Sequence, residues 1–178
     1  GKAGYWQTGF PGGNHTYLVD GGNGGRDMDG RTLFFYLATV NTPAMVLELP
    51  GVGSQYAFSS RDGSGAYLDG SKTYKVNIPA NPPAQRFWSF VVYDPQTRSM
   101  LQSKEMPYPS KNNKRNSEMA KNADGSIDLY FGPEAPAGKE ANWVKTVPGK
   151  GWFGIFRLYG PGQEWFDRTW KLGAIEQL

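Results

Sequence analysis

Tyr74, Val76 and Ile78 alternate with Lys75 and Asn77, the period of a strand with one apolar and one polar face. Ile127-Asp-Leu-Tyr-Phe131 alternates in the same way. Two longer runs, Phe87–Tyr93 and Trp152–Tyr159, are apolar on both faces and are expected to be strands covered on both sides. Ser54 to Ser60 is a further strand candidate. Leu68-Asp69-Gly70 and Asp124-Gly125 carry hairpin-turn chemistry ahead of Thr73–Pro79 and Ile127–Phe131. Pro79, Pro82 and Pro83 break the chain before Phe87. Residues 27–40 fit a helix or a strand. Asp27 and Asp29 suit a helix start, and the length of the unbroken apolar run favours a buried helix. Pro43 should end that helix or lie just past its end. Glu164–Trp170 reads as a short amphipathic helical turn packed through Trp165, Phe166 and Trp170.

Composition narrows the architecture. A chain of 178 residues fits one domain with a sizeable core. Its 24 glycines, 13 prolines and 15% aromatics favour many short strands joined by turns over a helical bundle. Eight glycines fall within residues 4–25, which predicts an irregular arm packed through Tyr5, Trp6, Phe10 and Tyr17. The expected fold is mainly β: an antiparallel β-sandwich over 51–178, with the glycine-rich arm and a helix of residues 1–50 packed on it, and one or two short helices in all.

Charge excludes some classes of partner. A net charge of +3 gives no argument for nucleic acid. Lys111, Lys114, Arg115 and Lys121 make one basic segment within the loop 107–122, but Glu105 and Glu118 interrupt it. A solvated loop is the simpler reading and an anion-binding patch the alternative. With no cysteine there are no disulfides, thiol nucleophiles or Cys-based metal sites. No apolar run approaches the ~20 residues of a membrane span. No basic–apolar–small signal segment opens the chain, so Gly1 is expected to follow a processed or cloned boundary or to open a piece of a longer protein. Asn14-His15-Thr16 matches a glycosylation sequon, a pattern short enough to arise by chance.

His15 is the single histidine, and no G-x-S-x-G elbow is present, so a Ser-His-Asp device has little to work with. A functional transition metal and a cofactor are not expected. Arg157 is the sharper candidate. Phe153, Ile155, Arg157 and Tyr159 share one strand face, and a guanidinium there needs an anionic partner or water. It either pairs with a carboxylate such as Asp94 or Asp167, recognises an anion in a cavity, or lies at an exposed rim. Tyr93, Asp94 and Arg98 bracket an Asp-Pro-Gln-Thr turn. Arg98 there is either a turn residue or projects to Asp94 or a ligand. Trp88 shares a face with Phe90 and Val92 and reads as core. Lys150, between two glycines, could hold a phosphate or carboxylate, without the frame of a nucleotide loop. Glu105, Glu134, Glu140, Asp94 and Asp128 could in principle supply a glycosidase pair.

Several motifs recur together: Thr8-Gly9-Phe10-Pro11-Gly12-Gly13-Asn14, Thr42-Pro43-Ala44-Met45, Gly51-Val52-Gly53-Ser54-Gln55-Tyr56, Phe87-Trp88-Ser89, Gln96-Thr97-Arg98-Ser99-Met100-Leu101, Tyr130-Phe131-Gly132-Pro133, Pro148-Gly149-Lys150-Gly151-Trp152 and Arg157-Leu158-Tyr159-Gly160-Pro161. In order and spacing the chain resembles the bacterial proteins grouped as domains of unknown function DUF1254 and DUF1214. The resemblance covers nearly the whole chain and is to the C-terminal half of proteins about twice as long. It implies a jelly-roll-like sandwich, a missing N-terminal half as partner, and a periplasmic or secreted location. It implies no reaction. The leading functional expectation is a non-enzymatic module that binds a small or carbohydrate-like ligand, or a partner. The binding end would be lined by aromatics and by Arg157, Tyr159, Arg98, Tyr93, Asp94 and Lys150. A metal-independent hydrolase using carboxylate, Tyr and Arg, and an assembly domain forming a homo-oligomer, are the alternatives.

Overall fold

The structure, a computed structural model, describes residues 4–8, 15–38, 42–46 and 48–178, with only the backbone of Leu37, Pro43 and Ala44. Phe10, and Asn14 of the sequon, lie outside the described residues.

Two sheets stack face to face. One has five strands in the order β1 (Gln7–Thr8), β2 (Ser54–Ser59), β8 (Phe153–Pro161), β4 (Ala84–Tyr93), β5 (Ser110–Asn112). The other has four: β7 (Trp143–Lys145), β6 (Ile127–Gly132), β3 (Tyr74–Ile78), β9 (Ile175–Gln177). Every pairing is antiparallel except β6 with β7. The alternation in β3 and β6 lands in register. Tyr74 faces Phe131, Val76 faces Leu129 and Ile78 faces Ile127, so both apolar rows point the same way. In the other sheet Trp88 faces Leu158 and Phe90 faces Phe156. The two inner faces meet through Phe90 and Phe131, whose ring centroids are 4.7 Å apart. Trp88, Phe90, Phe131, Trp152, Phe156 and Leu158 are all buried, as their positions in the pattern require.

Neither Asp-Gly turn joins sheet neighbours, contrary to the hairpin expectation. Asp69-Gly70 lies between β2 and β3, which belong to different sheets. Its turn closes locally, with the Lys72 N–H donating to the Asp69 carbonyl at 3.1 Å. Asp124-Gly125 makes a tight reversal just before β6, in which the Gly125 N–H donates to the Asn122 carbonyl. The loop preceding it is not wholly solvated. Lys111 sits in β5, buried along its stem and 3.7 Å from Glu118, because the sheet edge takes it in.

The segment 27–40 forms helix α1 (Met28–Ala38). The Asp27 carboxylate accepts the Gly30 N–H at 2.8 Å, which makes Asp27 its N-cap. Pro43 lies past the last residue of α1, Ala38. It opens a second helix, α2 (Pro43–Val46), where a first-turn proline forfeits no hydrogen bond. A third helix, α3 (Gln163–Phe166), precedes Trp170, and Trp165 and Trp170 pack on the core rim. In the arm, Tyr17 is buried against Phe34, while Tyr5 stands exposed. Trp6 contacts Phe90 edge-on and donates its indole N–H to the Gly173 carbonyl at 2.8 Å. Buried Phe34 and Val46 place α1 and α2 over the outer face of the five-stranded sheet.

Candidate functional site

Strand periodicity decides what that outer face presents. With Trp88, Phe90 and Phe156 turned inward, Tyr56, Phe58, Phe153, Ile155, Arg157, Ser89 and Tyr93 turn outward. Arg157 lies opposite Tyr56 on β2 and opposite Ser89 on β4. Between this face and the helices is a cavity of about 210 Å³. Its polar lining consists of Tyr56, Tyr93, Arg98 and Arg157. The remainder is apolar: Phe34, Ala38 and Met45 from the helical side, Phe58, Phe153 and Ile155 from the sheet.

Among the described residues no carboxylate pairs with Arg157. Its Nη2 donates to the Tyr93 hydroxyl at 2.5 Å, and its guanidinium carbon lies 5.7 Å from the ring centroids of both Tyr56 and Tyr93. Its Nε is buried with no acceptor among the described residues. Asp167 instead accepts the N–H and hydroxyl of Thr169. Asp94 is held by Lys150 at 2.7 Å. Burial pushes the Tyr93 phenol above its ordinary value, with the Arg157 charge opposing, so Tyr93 stays protonated at neutral pH.

Arg98 is an exposed residue, and its guanidinium is not bonded to the Asp94 side chain. Its Nη1 donates to the Tyr36 carbonyl at 2.6 Å. That carbonyl belongs to the last turn of α1, where a cation is favoured. Arg98 adopts φ +61°, an unusual conformation for a side-chain-bearing residue, and the turn holds it there through its own N–H to the Asp94 carbonyl. The structure thus brings Arg157, Arg98 and Tyr93 together at one cavity.

It does not bring Tyr159, Asp94 or Lys150 there. Tyr159 stacks on Phe87 at a centroid distance of 4.0 Å. The Asp94 carboxylate accepts the N–H groups of Gln96 and Thr97 besides Lys150. The Lys150 hydrogen bond, aided by those N–H groups and opposed by burial, holds Asp94 below the usual carboxylate range. A depressed folded-state value stabilises the fold above the unfolded value, about 3.9, and that stability is lost as pH falls through the folded value. Asp94→Asn keeps the turn acceptor and removes the charge. Because Lys150 is half exposed, the expected loss near neutral pH is about 1–2 kcal/mol. The gap to wild type should close below about pH 4 in urea unfolding; a gap that does not change with pH would refute the linkage.

Tyr56, Phe34 and Met45 were not singled out as site residues. The signal for Tyr56 was the alternation Ser54, Tyr56, Phe58, which needed the β2–β8 register to become informative. Of the acids considered for a glycosidase pair, Glu105 approaches Lys145 at 3.8 Å, Asp128 accepts from Asn77, and none lines the cavity. Among the described residues no group of three or more His, Cys, Asp or Glu is placed to hold a metal ion, and no helix is long and apolar enough to cross a membrane.

Three comparisons bear on this arrangement. The sequence profile of a family described as a protein of unknown function, DUF1214, matches residues 53–163. The chain is similar in fold to the crystal structure of the VPA0106 protein from Vibrio parahaemolyticus, with a TM-score of 0.63 and 22% identity, over 91% of this chain and 38% of that one. It also matches an uncharacterized protein from Burkholderia cenocepacia at 20% identity and a TM-score of 0.45, over 75% of this chain and 31% of that one. The chain therefore spans less than half the length of either. No curated protein matches it.

Proposed function

We propose that this chain, which belongs to the DUF1214 family of proteins of unknown function, acts as a non-catalytic β-sandwich module that binds a small molecule between α1, α2 and the outer face of the five-stranded sheet. One observation carries this reading: Arg157 lines a cavity and, among the described residues, has no carboxylate partner and leaves its Nε without an acceptor. A half-satisfied guanidinium is costly unless something completes it. The lining supports a compact ligand with apolar surface. Among the described residues no Asn, Gln or carboxylate lines the cavity for a carbohydrate to bond. A hydrolase would find no carboxylate among the described lining residues to serve as acid or base.

The test is a fragment screen read by NMR at the Met45 and Ile155 methyls, on wild type and Arg157→Met. Fragments should shift these methyls in the wild type. The variant should fold cooperatively, within about 1 kcal/mol of wild type, because an apolar side chain of similar length replaces a charge that had no ionic partner. It should lose the polar fragments. A wild-type cavity that no fragment perturbs would overturn the reading.

A second reading, assembly, is favoured by the apolar side chains that α1 exposes, Leu33, Phe35 and Tyr36, which are 58%, 59% and 62% exposed. A mass that rises with concentration in sedimentation would support it.

A further inference from the structure

We infer that the ligand of the cavity is a monocarboxylate on a compact apolar body, its carboxylate bound at Arg157 and Tyr93. This rests on the binding reading above and adds the chemistry of what is bound.

The polar end of the cavity is rich in donors and poor in acceptors. Arg157 commits one of its N–H groups to Tyr93 and retains the others, and a guanidinium accepts nothing. The Tyr93 oxygen receives the Arg157 hydrogen bond, so the phenol's own proton remains to be donated. Burial keeps that proton on at neutral pH. Tyr56 is engaged with the Ser54 hydroxyl at 2.7 Å and adds a ring face beside the guanidinium. Arg98 adds positive charge, although one of its nitrogens is taken by the Tyr36 carbonyl. Among the described residues no acidic side chain lines the cavity. Asp94, the residue next to Tyr93, is neutralised by Lys150. A partner that only accepts hydrogen bonds and carries negative charge complements this end, and a carboxylate does both in a plane that matches the guanidinium fork.

The rest of the cavity restricts what the carboxylate is attached to. At about 210 Å³ the cavity has room for a small molecule and not for an extended one. Phe58, Phe153 and Ile155 offer no hydrogen bonds to a polar body, and the Met45 thioether is only a weak acceptor. A phosphate, with more charge to neutralise and a larger hydration shell to lose, would have to surrender it against these apolar walls. A short branched or single-ring acid fits both the size and the chemistry.

The probes are benzoate, 3-methylbutanoate, benzamide as the neutral isostere of benzoate, and inorganic phosphate. Binding is followed by calorimetry and by the Met45 and Ile155 methyl resonances in wild type, Arg157→Met and Tyr93→Phe. We expect at least one of the two acids to bind wild type at least tenfold more tightly than benzamide, and phosphate to leave the methyls unmoved. Arg157→Met should weaken the acid at least tenfold and bring benzoate and benzamide level. Tyr93→Phe should weaken it several-fold. Benzamide binding as tightly as benzoate, or an acid unaffected by Arg157→Met, would overturn the carboxylate inference while leaving the cavity a binding site. Phosphate displacing the acids would overturn it in favour of another anion. If none of the four probes moves either methyl, the carboxylate inference falls. The binding reading falls with it only if the wider fragment screen is silent too.

Discussion

Truncating Phe156 to alanine is expected to lower the free energy of unfolding by roughly 3–5 kcal/mol. Phe156 is fully buried, its ring 5.7 Å from Trp88 and 5.8 Å from Trp170. It lies at the middle of β8, opposite Phe90 on β4 and Ala57 on β2. Hydrogen-bonded strands on both sides stop the backbone from moving in, and the flanking rings are too stiff to fill the space, so most of the volume would remain a void. Urea unfolding measures the loss as a fall in midpoint at unchanged slope. A loss below about 1 kcal/mol would mean that the site collapses freely, against the packing described.

The second large effect is expected at Gly70. An added Cβ would lie 2.2 Å from the Val147 carbonyl oxygen and 2.8 Å from that of Lys150. Both are backbone atoms, and neither can swing aside. The residue is fastened on both sides: its N–H donates to the Lys150 carbonyl and its own carbonyl accepts the buried Thr146 hydroxyl, each at 2.8 Å. Gly70→Ala must therefore push the 146–151 loop away, at a cost of at least about 3 kcal/mol. The displacement would carry Lys150 with it and disturb Asp94. Gly138→Ala is the control: its φ is +72° with nothing near the added atom, so only backbone strain of about 1–2 kcal/mol is expected. Equal losses for the two variants would refute the steric account.

These positions show where sequence patterns suffice and where they stop. Alternation was enough to find β3 and β6, and to assign Phe156 and Leu158 to one face of β8, because burial of a strand face leaves a period of two in the sequence. It was also enough to place Arg157 with Ile155 on the other face. The partner of Arg157 was not legible. A carboxylate was expected on grounds of charge, and the structure supplies Tyr93, whose ring and hydroxyl do part of the same work without an ion pair. Arg98 bonding to a carbonyl of α1 was equally invisible, since that contact joins residues 62 apart and depends on how a helix lies across a sheet. The Asp-Gly pairs correctly marked reversals. They carried no information on which sheet the next strand would join, because turn chemistry is local and strand partnership is not.

That last property reaches beyond the finished structure. β2 finds its neighbour β8 only about a hundred residues later, with Tyr56 opposite Arg157, and β3 must wait for β6 and then for β9 at the far end of the chain. A chain emerging from the ribosome would therefore hold Tyr74, Val76 and Ile78 unpaired until residue 127 and beyond had been made. Topologies of this kind fold in roughly milliseconds to seconds, because loop closure must precede the contacts that compensate for it. The hazard is greatest for the incomplete chain, whose open β3 edge can pair with a second copy before its own β6 arrives.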